Sequence, residues 1–406
     1  MIIRPEMVAK WAPPAPAELP EVRLRLREYV LSRNYVEFAI RIDFGGGAFF
    51  PTMQGPPENT AGVGITGGML MARREHRRLG EAQLYWVDGD MTSLALAVAD
   101  IPSGEPVRAR RMPAEAGLML FAQPIGGYDL DLAASLANLG HPGVLAPGAM
   151  VMPTPIVAVS WSTWTPAHLD LDGAPGVLTW NVRTPDGPVA LDYGMEGVWL
   201  TFWTTGSSGW DALPPDLELP DLAGGTTSAG RLAEFEARSR NTPLRTCDEI
   251  VLPFDKPLPD PTPDTGGQWA HVVHTAWQLM AQTGNAQLTE TETLTRPRPA
   301  RKRDERDGVT ASGGVRLVRV HTRHRPAPDA VADDEQASHG RRAPQWTRRW
   351  PVRPYRRNTC LNSRLHATGD CEHEERIVPA HVKGPQDKPL VVTDRVNLWD
   401  TPPPEP

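Results

Sequence analysis

Arginine-rich clusters are the residues of this sequence best suited to chemistry with a partner molecule. From Arg296 to Arg357 the chain carries 17 Lys or Arg against seven Asp or Glu, so a local charge of +10 sits in a protein whose total is −7. Guanidinium groups bind phosphates through paired hydrogen bonds, and Trp or Tyr faces stack on unpaired bases. The pattern predicts contact with RNA or single-stranded DNA through Arg296, Arg298, Arg301, Lys302, Arg303, Arg348, Arg349, Trp350, Arg353, Tyr355, Arg356 and Arg357.

A second interpretation of the same charge stays open. A polar, Pro-broken segment such as 291–345 is typical of a partly disordered linker. Its cations would then be solvated, or would dock on the acidic remainder of the same chain. Under that interpretation the basic arm has no nucleic-acid partner.

Metal ligands are present as residue types but in spacings that do not favour a metal. Cys360, Cys371 and His373, with His366 between them, lack the close Cys pairs of structural zinc sites. His271 and His274 stand three residues apart on a predicted helix, on the face away from its apolar residues, and are interpreted as solvated. We therefore expect no metal and no cofactor.

Catalytic motifs are equally weak. Gly62–Gly67 fits GxGxxG, but the residues before it do not form the strand that a dinucleotide site requires, so a surface loop is favoured. Gly206-Ser207-Ser208-Gly209 misses the nucleophile elbow by one position. Turns carry carboxylates that a nuclease could use with a divalent cation, namely Asp129, Asp131, Asp170 and Asp172. No residue is assigned a catalytic role, and the chain is interpreted as more typical of a non-enzyme.

Composition limits the class of protein. A length of 406 residues indicates two or three domains, and 43 Pro with 36 Gly favour short strands and many turns over a helical bundle. No run of 18 apolar residues and no signal-type opening occur, and three Cys leave one thiol unpaired. These features predict a soluble, cytoplasmic protein without a membrane partner.

Strand-like patterns dominate the first half of the chain. Apolar residues alternate from Tyr35 to Phe44, and Ala82–Val87 and Met91–Ile101 are predicted as a hairpin around Asp88-Gly89-Asp90. Short helices are predicted within Asn59–Leu79 and at Leu130–Leu139. Further strands are predicted at Gly117–Ala122, Ile156–Trp161, Val177–Val182 and Val198–Trp203.

The clearest helix begins after Thr265. Thr265 and Gln268 form a capping-box pattern, and apolar residues then recur at helical spacing from Trp269 to Met280. Later segments are predicted as a strand at Val315–Val320, disorder at Pro326–Arg342 and a strand at Leu390–Leu398. The fold class is therefore α+β. Its predicted parts are a β-rich body (1–225), a helical section (226–290), the basic arm (291–345) and a Trp/Arg-rich β-containing module (346–406).

The last third of the chain, about 269–399, carries Leu279-Met280-Ala281-Gln282, then the Arg-rich arm and then Val318-Arg319-Val320. The resemblance that these segments carry is to a family of uncharacterised proteins from actinobacteria, their phages and plasmids. It continues in Arg349-Trp350-Pro351-Val352-Arg353 and in the closing segment Lys383–Val396, whose family form is KGPxxxPLVxxxRV. The matched positions are Arg353, Arg357, Asn358, His373, Lys383, Gly384, Pro385 and Arg395. The block 354–363 departs from the family pattern, which has GHWRNQ where this chain has Pro354–Thr359.

This family is similar to type V-A anti-CRISPR proteins, which lower production of the CRISPR effector by recognising its nascent N-terminal segment. The resemblance implies a mobile-element regulator or inhibitor whose basic arm faces RNA, a ribosome-bound nascent chain or another ribonucleoprotein. The alternative is a protein-interaction module in which the β-rich body binds a polypeptide and the arm is passive. Its candidate contact residues are Trp161, Trp164, Trp199, Trp203 and Trp210.

Overall fold

The computed structural model describes about two thirds of the chain. The described residues are 7–8, 10–32, 35, 49–53, 60–99, 105–138, 143, 145–148, 150–166, 178–184, 187–192, 194–205, 210–220, 226–239, 244–283, 287–311, 313–320, 347–352, 355–360, 373–378, 381–383, 385 and 388. The predicted strand Tyr35–Phe44, the predicted disorder at Pro326–Arg342 and the predicted strand Leu390–Leu398 lie outside these ranges, apart from Tyr35 itself.

Helices and strands alternate along the described residues. The α-helices are α1 (Leu19–Val30), α2 (Thr60–Glu81), α3 (Gly89–Ala99), α4 (Leu132–Asn138), α5 (Ala229–Ser239), α6 (Gly266–Met280) and α7 (Arg298–Arg306). The strands are β1 (Phe49–Met53), β2 (Gln83–Val87), β3 (Ala116–Phe121), β4 (Gly126–Asp131), β5 (Val151–Trp164), β6 (Leu178–Thr184), β7 (Gly187–Ala190), β8 (Gly197–Thr204), β9 (Glu218–Pro220), β10 (Thr226–Ser228), β11 (Arg245–Pro253), β12 (Thr289–Leu294), β13 (Val315–Val320), β14 (Trp350–Val352), β15 (Tyr355–Cys360), β16 (His373–Val378) and β17 (His381–Lys383).

One eight-stranded mixed sheet organises the fold. Its strand order is β11-β8-β5-β3-β2-β13-β12, and β4 pairs with the first half of β5. The three neighbours β3, β2 and β13 run parallel, whereas the other pairs are antiparallel. The predicted α+β class is therefore confirmed.

Both faces of this sheet are covered by helices. Leu84 and Leu118 pack on one side with α1 and α2, whereas Tyr85 and Met119 pack on the other side with α3 and α6. Because side chains alternate along a strand, successive residues enter different layers. Strands that are buried on both faces have nearly continuous apolar sequences, and β8, in which every residue is buried, is mostly apolar.

The predicted hairpin around Asp88 is wrong, because α3 follows β2 directly. Met91, Leu94, Ala95 and Val98 recur at helical spacing and are all buried. The side chain of Asp88 accepts a hydrogen bond from the Met91 N–H at 2.7 Å. This short acidic turn therefore starts a helix, since a carboxylate satisfies one of the first free N–H groups.

The predicted helix after Thr265 is confirmed as α6, but its capping differs in detail. Thr265 is the N-cap without a capping hydrogen bond from its own side chain. The carboxylate of Asp248 in β11 instead accepts the Gly266 N–H at 2.9 Å, and Gln268 accepts the Asp264 N–H at 2.9 Å. A residue from the sheet thus completes the helix start.

The predicted strand Val315–Val320 is confirmed as β13, which lies between β12 and β2 inside the main sheet. The flexible segment predicted before it is wrong for residues 291–306, because they contain most of β12 and the whole of α7. The sheet therefore joins strands from the predicted body, helical section and arm. In the C-terminal part, β14 pairs with β17 and β15 pairs with β16, and β14 contacts α3.

A buried polar cluster anchors α2 on the sheet. Glu75 accepts a hydrogen bond from Ser160 of β5 at 2.8 Å and forms an ion pair with Arg78. The hydroxyl of Thr201 in β8 lies 3.2 Å from Glu75 and 3.4 Å from Glu249 of β11. Charged groups so deeply placed must be paired, and this pairing fixes the rotation of α2.

We predict that Glu249→Gln changes stability in a pH-dependent way. Burial raises the pKa of Glu249 from 4.5 to about 7, although Arg78 opposes the shift. The folded protein therefore holds this proton more tightly than the unfolded chain, so the contribution is fully favourable below pH 4.5 and is lost as the pH rises through 7. In urea unfolding at pH 8 the variant should be more stable than wild type by up to about 3 kcal/mol. The two proteins should be equally stable near pH 4.5, and an equal difference at both pH values contradicts the assignment.

Candidate nucleic-acid interface

The short helix α7 carries the densest group of cations among the described residues. Pro297 precedes the helix, and Pro299 occupies its first turn, where a missing N–H costs nothing. Gly308 ends the segment at φ +75°, a conformation that favours glycine, and its N–H donates to the Glu305 carbonyl at 3.1 Å. The sequence around Arg298–Arg306 thus contains its own start and stop signals.

One buried carboxylate docks α7 on the rest of the protein. Asp304 is fully buried and forms ion pairs with Arg23 of α1, at 3.5 Å, and with Arg296. Arg23 is also fully buried and donates to the carbonyls of Ala82 and Ala311 at 3.1 and 2.9 Å. Burial lowers the pKa of Arg23 to about 10, while Asp304 opposes the shift, so Arg23 stays charged at neutral pH.

A second set of contacts holds the end of α7 against α1 and α2. Arg27 donates to the carbonyl of Asp307, and the Thr310 N–H donates to the Gly80 carbonyl at 3.0 Å. A Cβ atom at Gly80 would lie 3.0 Å from the Gly308 carbonyl oxygen, so the two backbones approach closely. The helix is therefore fixed in its last turn, through Asp304, and just beyond its C-terminal end.

The docking of Asp304 determines where the cations point. Each helical residue turns about 100°, so Lys302 and Arg306 lie about 160° from Asp304, and Arg298 lies about 120° from it. Successive members of this row are four residues apart, or about 6 Å along the axis. Arg301 and Arg303 flank the row. We call these five residues, all exposed, the α7 cationic face.

Nothing acidic in the described part of the chain pairs with the α7 cationic face. Other exposed arginines do have carboxylate partners: Arg25 with Glu21, Arg77 with Glu81, and Arg319 with Glu292. Like charges four residues apart destabilise an isolated helix. Tertiary docking must therefore stabilise α7 against the repulsion among its own cations.

Arg296 does not belong to this face. Although it was predicted to contact nucleic acid, its guanidinium group pairs with Asp304 and is only 19% exposed. Its charge is used to dock α7. The cluster 296–303 therefore divides into one docking residue and four residues that point outward.

The second predicted group of contact residues begins at Arg348, and its strand β14 packs against α3 on the other side of the sheet from α7. Arg348 is exposed, Arg349 donates to the Lys388 carbonyl at 2.8 Å, and Trp350 pairs with Lys383 in β14–β17. Since β14 contacts α3, whereas α7 packs on α1 and α2, Arg348–Trp350 and the α7 cationic face lie toward opposite faces of the sheet.

The remaining predicted positions are placed by backbone register alone. Tyr355, Arg356, Arg357 and Asn358 lie in β15, where their partners in β16 run from Val378 to Glu375. Pro385 is half-buried, and Lys383 is exposed. Arg353, Gly384 and Arg395 lie outside the described residues.

The histidines and cysteines considered as metal ligands do not form a site among the described residues. His271 and His274 are buried, so their interpretation as solvated residues is wrong. A ring nitrogen of His271 lies 2.8 Å from the Pro259 carbonyl, and burial lowers the pKa of His274 to about 4. Cys360 lies opposite His373 in the β15–β16 register, but Cys371 and His366 are outside the described residues. Within those residues, no group of three metal-ligating side chains occurs.

The carboxylate and glycine motifs also have structural roles where they are described. The side chain of Asp131 accepts N–H groups of Ala133 and Ala134 at 2.9 and 3.3 Å, which caps α4. Gly62–Gly67 lies inside α2 and not in a surface loop, so the GxGxxG match has no strand-to-helix turn. Asp170, Asp172 and Gly206–Gly209 are outside the described residues.

Comparison with known proteins gave no match to a protein-family model, a curated protein or a solved structure. The resemblance to a mobile-element family therefore stays a prediction. In the part of the chain that the structure describes, no helix is both long and apolar enough to cross a membrane.

We predict that Asp304→Ala strongly destabilises the protein. It leaves Arg23 buried without its carboxylate, which typically costs about 3–5 kcal/mol. The double variant Arg23→Met/Asp304→Leu removes both charges and should recover most of that loss. Chemical denaturation of the single and double variants measures both effects. A loss below about 1 kcal/mol for Asp304→Ala would show that the pair does not hold α7.

Proposed function

We propose that this protein is a non-enzymatic regulator that binds RNA or single-stranded DNA through the α7 cationic face. The observation that carries the proposal is that five cations on nine helical residues face solvent without an acidic partner among the described residues. A polyanion would relieve their mutual repulsion. The predicted resemblance to anti-CRISPR-like proteins supports a regulatory role.

The chemistry of the face favours phosphate over base recognition. Arg298, Arg301, Arg303 and Arg306 offer planar guanidinium groups that match phosphate oxygens, and Lys302 adds a point charge. No aromatic side chain is exposed in the part of the chain with described side chains, so base stacking at α7 is not provided there. Such contacts position a strand without reading its sequence. We therefore expect binding that is independent of sequence and sensitive to salt.

The alternative, a polypeptide-binding surface built from tryptophans, is not supported. Trp161, Trp164, Trp199 and Trp203 are buried between the sheet and its helices, and Trp210 is half-buried. Their rings pack against each other and against the core, as the 5.7 Å separation of Trp164 and Trp199 illustrates. Tryptophans that bind a partner must reach the surface.

We predict that the triple variant Arg298→Gln/Lys302→Gln/Arg306→Gln binds nucleic acid at least about tenfold more weakly than wild type at low salt. The measurement is fluorescence anisotropy with a labelled 20-nucleotide RNA of mixed sequence, repeated across a salt series. Each phosphate contact contributes about −0.7 to the slope of log K against log salt for a single strand. Removing three contacts should therefore reduce the slope by about 2.

A matched control removes the same charge from paired positions. Arg25→Gln/Arg77→Gln/Arg319→Gln also lowers the net charge by three, but each of these residues already has a carboxylate partner. This variant should bind within about twofold of wild type. Equal loss of binding in both triple variants would mean that only net charge matters. Tighter binding to polyglutamate than to RNA at matched salt would instead identify an acidic polypeptide as the partner.

A further inference from the structure

Both ring nitrogens of His76 are engaged by a single arginine. His76 lies on α2 and is half-buried. Its Nδ1 is 3.1 Å from the carbonyl oxygen of Arg27, and its Nε2 is 3.0 Å from Nη2 of the same residue. The Nε group of Arg27 also donates to the His76 carbonyl at 3.3 Å. Arg27 of α1 and His76 of α2 are thus joined by three contacts.

This geometry permits only one protonation state of the imidazole. Guanidinium nitrogens only donate, so Nε2 of His76 must accept and carries no proton. The Arg27 carbonyl only accepts, so Nδ1 must carry the proton. A second proton would place an imidazolium N–H against the guanidinium group of Arg27. The contact is therefore compatible with neutral His76 alone.

Arg27 connects this histidine to α7. The same guanidinium group donates through Nη1 to the carbonyl of Asp307, the residue that follows α7. A change at His76 therefore reaches the end of α7 through one side chain. Asp304, about one turn earlier, is the residue within the helix itself that pairs with α1.

We propose that protonation of His76 breaks its contact with Arg27 and loosens the docking of α7, so that the order of the α7 cationic face depends on pH. The consequence for nucleic-acid binding rests on the proposed function, whereas the loosening of α7 does not. His76 is thus a positioning residue: it holds Arg27, and Arg27 holds the end of α7.

The charges around His76 are arranged so that a protonated ring is repelled by Arg27. From α1, Arg27 faces the ring and Arg23 lies one turn away, and from the α7 side Asp304 and Asp307 face these two arginines. On α2 itself the charged residues next to His76 in the chain are Glu75 and Arg77, and each already has an ion-pair partner, Arg78 for Glu75 and Glu81 for Arg77.

Burial lowers the pKa of His76 below its ordinary 6.5. The hydrogen bond to the Arg27 carbonyl opposes this shift, and the charge of Arg27 adds to it. The folded protein therefore binds this proton less readily than the unfolded chain. The contribution of neutral His76 to stability is present above pH 6.5 and is lost as the pH falls below 6.5.

Hydrogen exchange of the full-length protein without nucleic acid tests the proposal. The relevant amides are those of Arg301, Asp307 and Val309, which donate to carbonyls within and beside α7. After correction for intrinsic rates, they should exchange about tenfold faster at pH 5.5 than at pH 7.5, as expected for the loss of one or two hydrogen bonds. In His76→Gln, whose amide oxygen accepts from Arg27 at both pH values, the corrected rates should stay equal.

A histidine on the other face of the sheet provides the control. His274→Gln should keep the wild-type pH response of the α7 amides, because α6 packs with α3 and not with α1 or α2. The proposal fails if wild type shows no pH response, or if His76→Gln shows the same response. If His76→Gln does not fold, nitrogen NMR of the wild-type imidazole decides. The Nδ1–H tautomer with a pKa below 6.5 supports the proposal, and any other tautomer or a higher pKa overturns it.

Since these readouts involve no nucleic acid, the two proposals can fail separately. A pH-dependent α7 in a protein that binds no RNA would leave His76 as the controlling residue and remove only the proposed partner. A pH-independent α7 that binds RNA would do the reverse.

Discussion

The ion pair between Arg23 and Asp304 connects segments that are 281 residues apart in the chain. Both side chains are fully buried, so neither charge can be left without the other. Through this pair α1 holds α7, and α7 in turn connects two adjacent strands of the sheet, β12 and β13. Because the Asp304 side of α7 faces the interior, the direction of every cation on the helix is set by its angle from Asp304. A surface property therefore depends on contacts in the interior.

Local sequence patterns predict much of the sheet but less of the helices. Val198–Trp203 is a mostly apolar run and Val315–Val320 combines four apolar residues with two arginines, and both are strands as predicted. The run Met91–Ile101 was also predicted as a strand, yet its residues 91–99 lie in α3, because Asp88 caps the helix and α6 covers it. Such a choice is made by tertiary packing, which overrides local propensity. Gly62–Gly67 shows the same effect, since several glycines are held within α2.

The candidate site was predicted in composition but not in arrangement. The Arg-rich sequence indicates a phosphate-binding surface, yet two prolines and dense like charge made residues 296–306 resemble an unstructured arm. Nothing local distinguishes Arg296, which docks α7, from Arg298, which faces solvent. His76 carries no motif either. Its role depends on Arg27, which lies 49 residues away in the chain and engages both of its ring nitrogens.

The central claim, that α7 presents its cations to a nucleic acid, can be tested most directly by lysine footprinting. The chain has only five lysines, and Lys302 is the single one on α7. The account predicts that saturating single-stranded RNA slows acetylation of Lys302, while the exposed Lys10 and Lys256 react at unchanged rates. Unchanged acetylation of Lys302 with protection of Lys383 or Lys388 would contradict it and move the interface to the C-terminal strands.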